Sequence, residues 1–265
     1  MKRRLAALAL GICITALPVR GENLPTLRIN GKESSGVSHV EDGTTYVSLR
    51  TVGETVYPEA EIVWENGAAI IRNDDVTLTA IPGEQWILSN GRYLYVPGKV
   101  QNREGRVLVP IRVLAEGLGA LVEWNGEERS IAVTSREQPK TETYGEDEIY
   151  WLSRIISAES RGEPLEGQIA VGNVVLNRVK SNEFPDTIYG VIFDGRWGGQ
   201  FEPVRNGTIY ETPTLQSVIA AKLCLEGADA VGESLYFLNP EKAQNFWTVK
   251  NRTYMTTIGC HDFYV

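Results

Sequence analysis

Two glutamates, Glu159 and Glu163, stand four positions apart around an Arg-Gly pair in the stretch IISAESRGEP, residues 155–164, where a strongly apolar run stops. Carboxyls in such a setting perform acid–base or nucleophilic chemistry when their surroundings shift their pKa; otherwise they form a solvated helix end. Other chemistries find less material in this half of the chain. A zinc hydrolase needs two or three imidazoles, and only His261 is present, so no metal centre is expected. A thiol nucleophile would be Cys224 or Cys260 with His261 as partner. Cys224 falls in an apolar helical stretch, which raises a thiol pKa, and Cys260 is read as next to His261 in a strand, where neighbours face opposite ways. A cysteine peptidase therefore stays as the weaker alternative. No strand-G-x-x-x-x-G-K-[ST] loop occurs, and no cofactor is expected. What remains is carboxylate chemistry among aromatics read as exposed: Trp151, Trp197, Phe201, Tyr210, Tyr236, Phe246, Trp247 and Tyr264. Aromatic faces with Asn and Gln nearby suit carbohydrate rings, although each of these residues can equally be core.

The elements that position the glutamates follow from periodicity. Asp147 and Glu148 favour a helix start, and Ile149, Leu152, Ile155, Ile156 and Glu159 recur at spacings of three and four. Gly162 supplies the stop, so Glu159 is expected in the last turn, on the buried stripe and beside unpaired carbonyls. Burial and the helix end both disfavour the charged carboxylate, which suits a general acid. Glu163 precedes Pro164, a good first helical residue, and is expected at the next N-cap, where the dipole favours its charge. That second helix should run to about Lys180 and be buried around most of its circumference. A third is expected over Thr214 to Glu226, with Leu215, Val218, Ile219 and Leu223 as its apolar stripe. Between them lies a Gly-rich loop, 195–207, and strand-like segments follow at 234–240 and 257–265. The fold class is α+β, with a β-rich half first and a helix-led half after it.

The first half, residues 24–136, has short alternating segments broken by Asn-Gly, Asp-Gly and Gly-Lys turns, such as Thr45 to Leu49, Ala69 to Arg72, Tyr93 to Val96 and Val107 to Ile111. It repeats internally: residues 42–72 align with 104–133, with Val47, Arg50 and Trp64 matching Val109, Arg112 and Trp124. Each unit reads as strand, short helix (Val113 to Leu118 in the second), Gly turn and a strand pair carrying the Trp. Two packed copies are expected, because one unit cannot bury both faces of so short a helix. Residues 137–146, polar and Pro-containing, read as a linker to a helix-led domain over 147–265.

The first 21 residues read as an export signal: Lys2, Arg3 and Arg4, then an apolar run from Leu5 to Leu17, then Val19-Arg20-Gly21. The run is too short for a stable membrane span. Loss of its four basic residues takes the formal net charge from −8 to −12, so neither nucleic acid nor anionic membrane is an expected partner. Cys224 and Cys260 would then be the remaining cysteines, either paired or separate.

Two resemblances add to this reading. The form "strand, V-P-I-R, helix ending in L-G-A, V-E-W-N, strand" at Leu108 to Val133 resembles the copper amine oxidase N-terminal-like domain, over most of 27–135. It implies a non-catalytic attachment or spacing module; His39 is its lone imidazole, so copper is not expected there. IISAESRGEPLEGQIAVGNVVLNRV, GGQFEPVRNGT, SLYFLNP and IGCHDFY resemble the SleB-type cell wall hydrolases over 150–265. That resemblance implies a lysozyme-like transglycosylase fold and Glu159 as catalytic acid, with Ser160 where Ala is usual. It also implies cleavage of peptidoglycan glycan strands outside the cytoplasm, in cell wall or spore. Gln200, Asn239 and His261 fall on its motif positions and, with Phe201 and Tyr236, are the substrate-binding candidates. A wall-binding protein without activity stays open as an alternative. The chain departs from the pattern in carrying the β-rich repeat in place of a helical binding domain, and in Cys260 and Asp262, for which a Cys224–Cys260 disulfide is one explanation.

Overall fold

The structure, a computed structural model, describes residues 24–135, 140–141, 144–196, 200–243 and 245–265. The expected export signal, residues 137–139 and 142–143 of the expected linker, and Trp197 lie outside the described residues. The N-terminal half runs β1 (Thr26–Ile29), β2 (Lys32–Ser34), β3 (Val37–Glu41), β4 (Thr44–Ser48), α1 (Leu49–Val56), β5 (Glu61–Glu65), β6 (Ala68–Arg72), β7 (Thr77–Ala80), β8 (Trp86–Ser89), β9 (Arg92–Tyr95), β10 (Gln101–Arg103), β11 (Arg106–Pro110), α2 (Ile111–Gly117), β12 (Ala120–Asn125) and β13 (Ser130–Ser135). Three sheets result, ordered β12-β13-β1-β2, β10-β11-β4-β3 and β5-β6-β7-β8-β9. Alternation sets the buried faces, as in β1, which buries Leu27 and Ile29 and exposes Arg28. Left-handed Asn-Gly pairs such as Asn66-Gly67 close the hairpins.

The internal repeat is visible as β4-α1-β5-β6 against β11-α2-β12-β13. The two copies meet through antiparallel pairing of β4 with β11, which sets Val47 opposite its counterpart Val109. Val52 of α1 and Leu114 of α2 enter one shared core. Helix α2 begins at Ile111, earlier than expected, because Pro110 ends β11 and serves as its N-cap.

The C-terminal half contains α3 (Glu146–Ser160), α4 (Leu165–Lys180), α5 (Ile188–Ile192), α6 (Glu202–Asn206), α7 (Leu215–Leu225), β14 (Tyr236–Leu238), α8 (Trp247–Asn251), β15 (Tyr254–Ile258) and β16 (His261–Tyr264). Helices α3, α4 and α7 pack mutually, with β14-β16-β15 as a small antiparallel sheet beside them. Helix α3 starts at Glu146, one residue earlier than expected, where the Glu148 side chain accepts from the Gly145 N–H. The central α4 is buried on two sides: Ile169 and Val175 face the α3/α7 core, and Ala170 and Val174 face the sheet through Phe263. Among the described residues no helix is long and apolar enough to cross a membrane.

Three expectations are corrected. Helix α7 buries Ser217, Ala220, Ala221, Leu223 and Cys224, whereas Leu215 is 74% exposed. Close approach to α4 selects small residues there: a Cβ on Gly172 would lie 2.6 Å from Cys224 Sγ. Cys260 lies in the turn between β15 and β16 and is exposed, while Cys224 is buried; both are free thiols. The N-cap of α4 is Pro164, one residue past Glu163, which is engaged elsewhere.

Candidate active site

A cleft of about 770 Å³ opens at the end of α3. Glu159, in the last turn of that helix, forms part of its wall and is half-buried. It lies one turn beyond Ile155 and Ile156, which are fully enclosed, so the helix that supplies the core also carries the carboxyl to the cleft edge. Burial pushes Glu159 up to about 7, the Glu202 carboxylate adds to the rise, and the Arg178 guanidinium opposes it. Arg178 comes from α4 and is only 4% exposed. Its Nε donates to the Leu235 carbonyl at 2.8 Å, and its Nη1 is buried without a hydrogen-bond partner among the described residues. Burial lowers its pKa to about 10, which still leaves it charged at neutral pH.

The expected binding residues come from distant segments. Gln200 and Phe201 line the cleft before α6, Asn239 follows β14, and His261 opens β16. Phe201 is only 2% exposed, so it forms a wall rather than an open stacking surface. Tyr236 is not among the lining residues: its hydroxyl accepts from Arg252 Nη2 at 2.7 Å, and its ring packs against that guanidinium. Of the aromatics read as exposed, Tyr210, Phe246 and Trp247 are so, while Tyr264 is buried and Trp151 is packed among Tyr150, Tyr189 and Phe193.

Glu163 has a positional task. Its Oε2 accepts from the Cys260 N–H at 2.9 Å, tying the start of α4 to the β15–β16 turn, and its Oε1 lies 3.8 Å from His261 Nδ1. Gly259, with φ of +59°, is needed in that turn, because a Cβ there would collide with the Glu163 carboxylate. Burial lowers the His261 pKa in spite of Glu163, so the ring faces the cleft as neutral imidazole. The other acids differ in availability. Asp194 is bound by Arg196 and Asp262 by Thr257, whereas Glu202 is exposed and lines the cleft.

Thiol chemistry gains no support. The Cys224 thiol is enclosed and donates to the Ile169 carbonyl, and burial pushes its pKa up. The Cys260 pKa is raised by the adjacent Glu163. Among the described residues no group of His, Cys, Asp and Glu is arranged to hold a metal. Periodicity alone left out Arg178 and Glu202. Arg178 shares the α4 face of Val171, Val174 and Val175, so an arginine on a buried stripe was the available signal; Glu202 stands in the GGQFEPVRNGT stretch, but its action on Glu159 depends on separate segments folding together.

Residues 162–264 match the family described as Cell Wall Hydrolase, and residues 28–133 match the Copper amine oxidase N-terminal domain. A spore cortex-lytic enzyme of Bacillus cereus is 40% identical over 120 residues, which span 45% of this chain and 45% of that protein. The cell wall hydrolase CwlJ of Oceanobacillus iheyensis is 29% identical over 106 residues, 38% of this chain and 74% of that protein. Among solved structures, the catalytic domain of the germination-specific lytic transglycosylase SleB from Bacillus anthracis shares 37% identity and covers 48% of this chain and 100% of its own, with a TM-score of 0.43. The chain thus spans less than half the length of the cortex-lytic relative. The C-terminal segment is similar to the cell wall hydrolases, and a segment similar to the copper amine oxidase N-terminal domain precedes it.

Proposed function

We propose that the chain is a peptidoglycan-cleaving enzyme, a lytic transglycosylase in which Glu159 alone serves as acid and then base. The observation that carries this reading is a half-buried carboxyl lifted to about 7 on the wall of an open cleft. A proton held near neutral pH is transferred to the glycosidic oxygen between the muramyl sugar and its neighbour as the bond breaks. The muramyl C6 hydroxyl then attacks its own anomeric carbon, and the Glu159 carboxylate takes the proton from that hydroxyl. Intramolecular attack carries a high effective molarity, so no second carboxylate is needed to activate water. Gln200, Asn239 and neutral His261, which line the same cleft, hold sugar amides and hydroxyls, and Phe201 forms part of its wall. The chain acts outside the cytoplasm after export, and the cortex peptidoglycan for which its relatives are named is the first substrate to test.

Glu202 favours one specific second reading, hydrolysis, since it is exposed in the same cleft and acts electrostatically on Glu159. Mass analysis of digested peptidoglycan separates the two. Transglycosylation yields 1,6-anhydromuramyl ends, and hydrolysis yields reducing ends that disappear in Glu202→Gln. Glu159→Gln is expected to lower turnover by about 10²–10⁴-fold while leaving the fold intact. A variant that binds sacculi but releases as much product as wild type would remove Glu159 from the mechanism.

A further inference from the structure

One matched pair of side chains is engaged differently in the two copies of the N-terminal repeat. In the first copy Arg50 is engaged: Nη1 donates to Glu54 at 3.3 Å and Nη2 to the Ile62 carbonyl at 3.2 Å. In the second copy the counterpart of Glu54 is Glu116, and it is drawn away. Its Oε1 accepts from Arg92 Nη2 at 3.0 Å, and the same Arg92 reaches Glu226, the C-cap of α7, at 2.7 Å. Arg112, the counterpart of Arg50, has no hydrogen bond or ion pair among the described residues and is exposed. It lines a groove of about 820 Å³.

Trp124 lines the same groove and is 52% exposed, so packing does not account for its presence. Val40 and Val122 extend the apolar wall, and Thr44 and Thr45 offer hydroxyls at the edge. Trp64 is similarly exposed, at 54%, but lies outside this groove and has beside it an arginine that is already paired. The residues through which the module meets the catalytic half, Trp86, Tyr93 and Tyr95, do not line the groove, so it stays open while the halves are in contact.

A flat indole beside an unpaired guanidinium suits a sugar that carries a carboxylate. The apolar C–H face of a pyranose covers the ring, and the planar fork of Arg receives two carboxylate oxygens. An anionic bilayer calls for a cluster of several cations, whereas this groove is lined by two, Arg112 and Arg129. We propose that this groove is a second carbohydrate site, in which a peptidoglycan sugar stacks on Trp124 and a carboxylate of the strand's peptide substituents pairs with Arg112. The choice of polymer rests on the function proposed above.

The test uses the full chain with Glu159→Gln, so that sacculi stay intact, in a sedimentation assay with purified sacculi. Trp124→Ala and Arg112→Gln are each expected to weaken binding at least fivefold, and the Arg112 share should shrink as salt rises. Trp64→Ala should bind like the parent, and all three should melt like it, since the side chains are exposed. Parental binding by both groove variants, or an equal loss in Trp64→Ala, would overturn the site. Product release by the chain with Glu159 restored is measured in parallel. If that chain releases no glycan product while Trp124→Ala still loses binding, the groove is supported and the catalytic reading alone fails.

Discussion

At neutral pH a carboxyl with a pKa of about 7 is divided between its two forms, and a single-residue acid–base mechanism needs both in turn. In Glu159 this balance arises from burial and Glu202 pushing the pKa up and Arg178 pushing it down. The first step requires the protonated form, so kcat/KM should fall as pH rises through about 7. Removing the Glu202 charge lowers the Glu159 pKa, and Glu202→Gln should move that alkaline limb to lower pH. Removing the cation has the opposite sign, so Arg178→Met should move the limb to higher pH. Full pH profiles of both variants check this, and shifts in the same direction would sink the electrostatic account. The buried stripe in IISAES was legible as a pattern, and it places Glu159 at the helix end. The sign of the shift was therefore readable from burial, but its size was not, since Glu202 and Arg178 come from other segments.

Element boundaries rest on local chemistry and were correspondingly legible. The Thr214 hydroxyl caps α7 by accepting from the Ser217 N–H, Pro164 opens α4, and β14 and β16 fall within the segments read as strands. The face that a helix turns inward is decided by its neighbour. Large apolar residues along α7 pointed to Leu215, which is exposed, whereas contact with α4 requires small ones. Gly172→Ala would press its Cβ against Cys224 Sγ and is expected to cost about 1–3 kcal/mol. Adding Cys224→Ala should restore part of that loss, which denaturant titration of the double variant measures. Additive losses would show that the contact between the helices is not what demands glycine. The same logic applies to the β15–β16 turn. The alternation of TIGCHDFYV marked a strand, but a left-handed Gly259 folds it into a hairpin whose turn Glu163 holds.

Across the whole molecule the two halves are joined by more than the chain. Trp86, Tyr93 and Tyr95 pack against the C-terminal core, and the buried Arg92 binds Glu226, at the C-cap of α7, together with Glu116 of α2. Arg92→Ala leaves the largely buried Glu226 without its cation, a loss of about 3–5 kcal/mol. Calorimetry is then expected to show one thermal transition for the parent and two for the variant, one for each half. Replacing both Arg92 and Glu226 with apolar residues should restore much of the coupling, because no buried charge is then left unpaired. The sequence by itself determined the export-type head as an expectation, the α+β class, the twofold repeat, the succession of α3, α4 and α7, and Glu159 at the end of a buried stripe. These depend on periodicity, caps and turns, which act over a few residues. Only the tertiary structure decided that Glu163 clamps a turn 97 positions away, that Arg178 and Glu202 act on Glu159 from separate elements, and that Arg92 engages Glu116, the counterpart of Glu54. Each of those depends on which distant segments fold into contact, and burial and charge neighbours do not exist until they do.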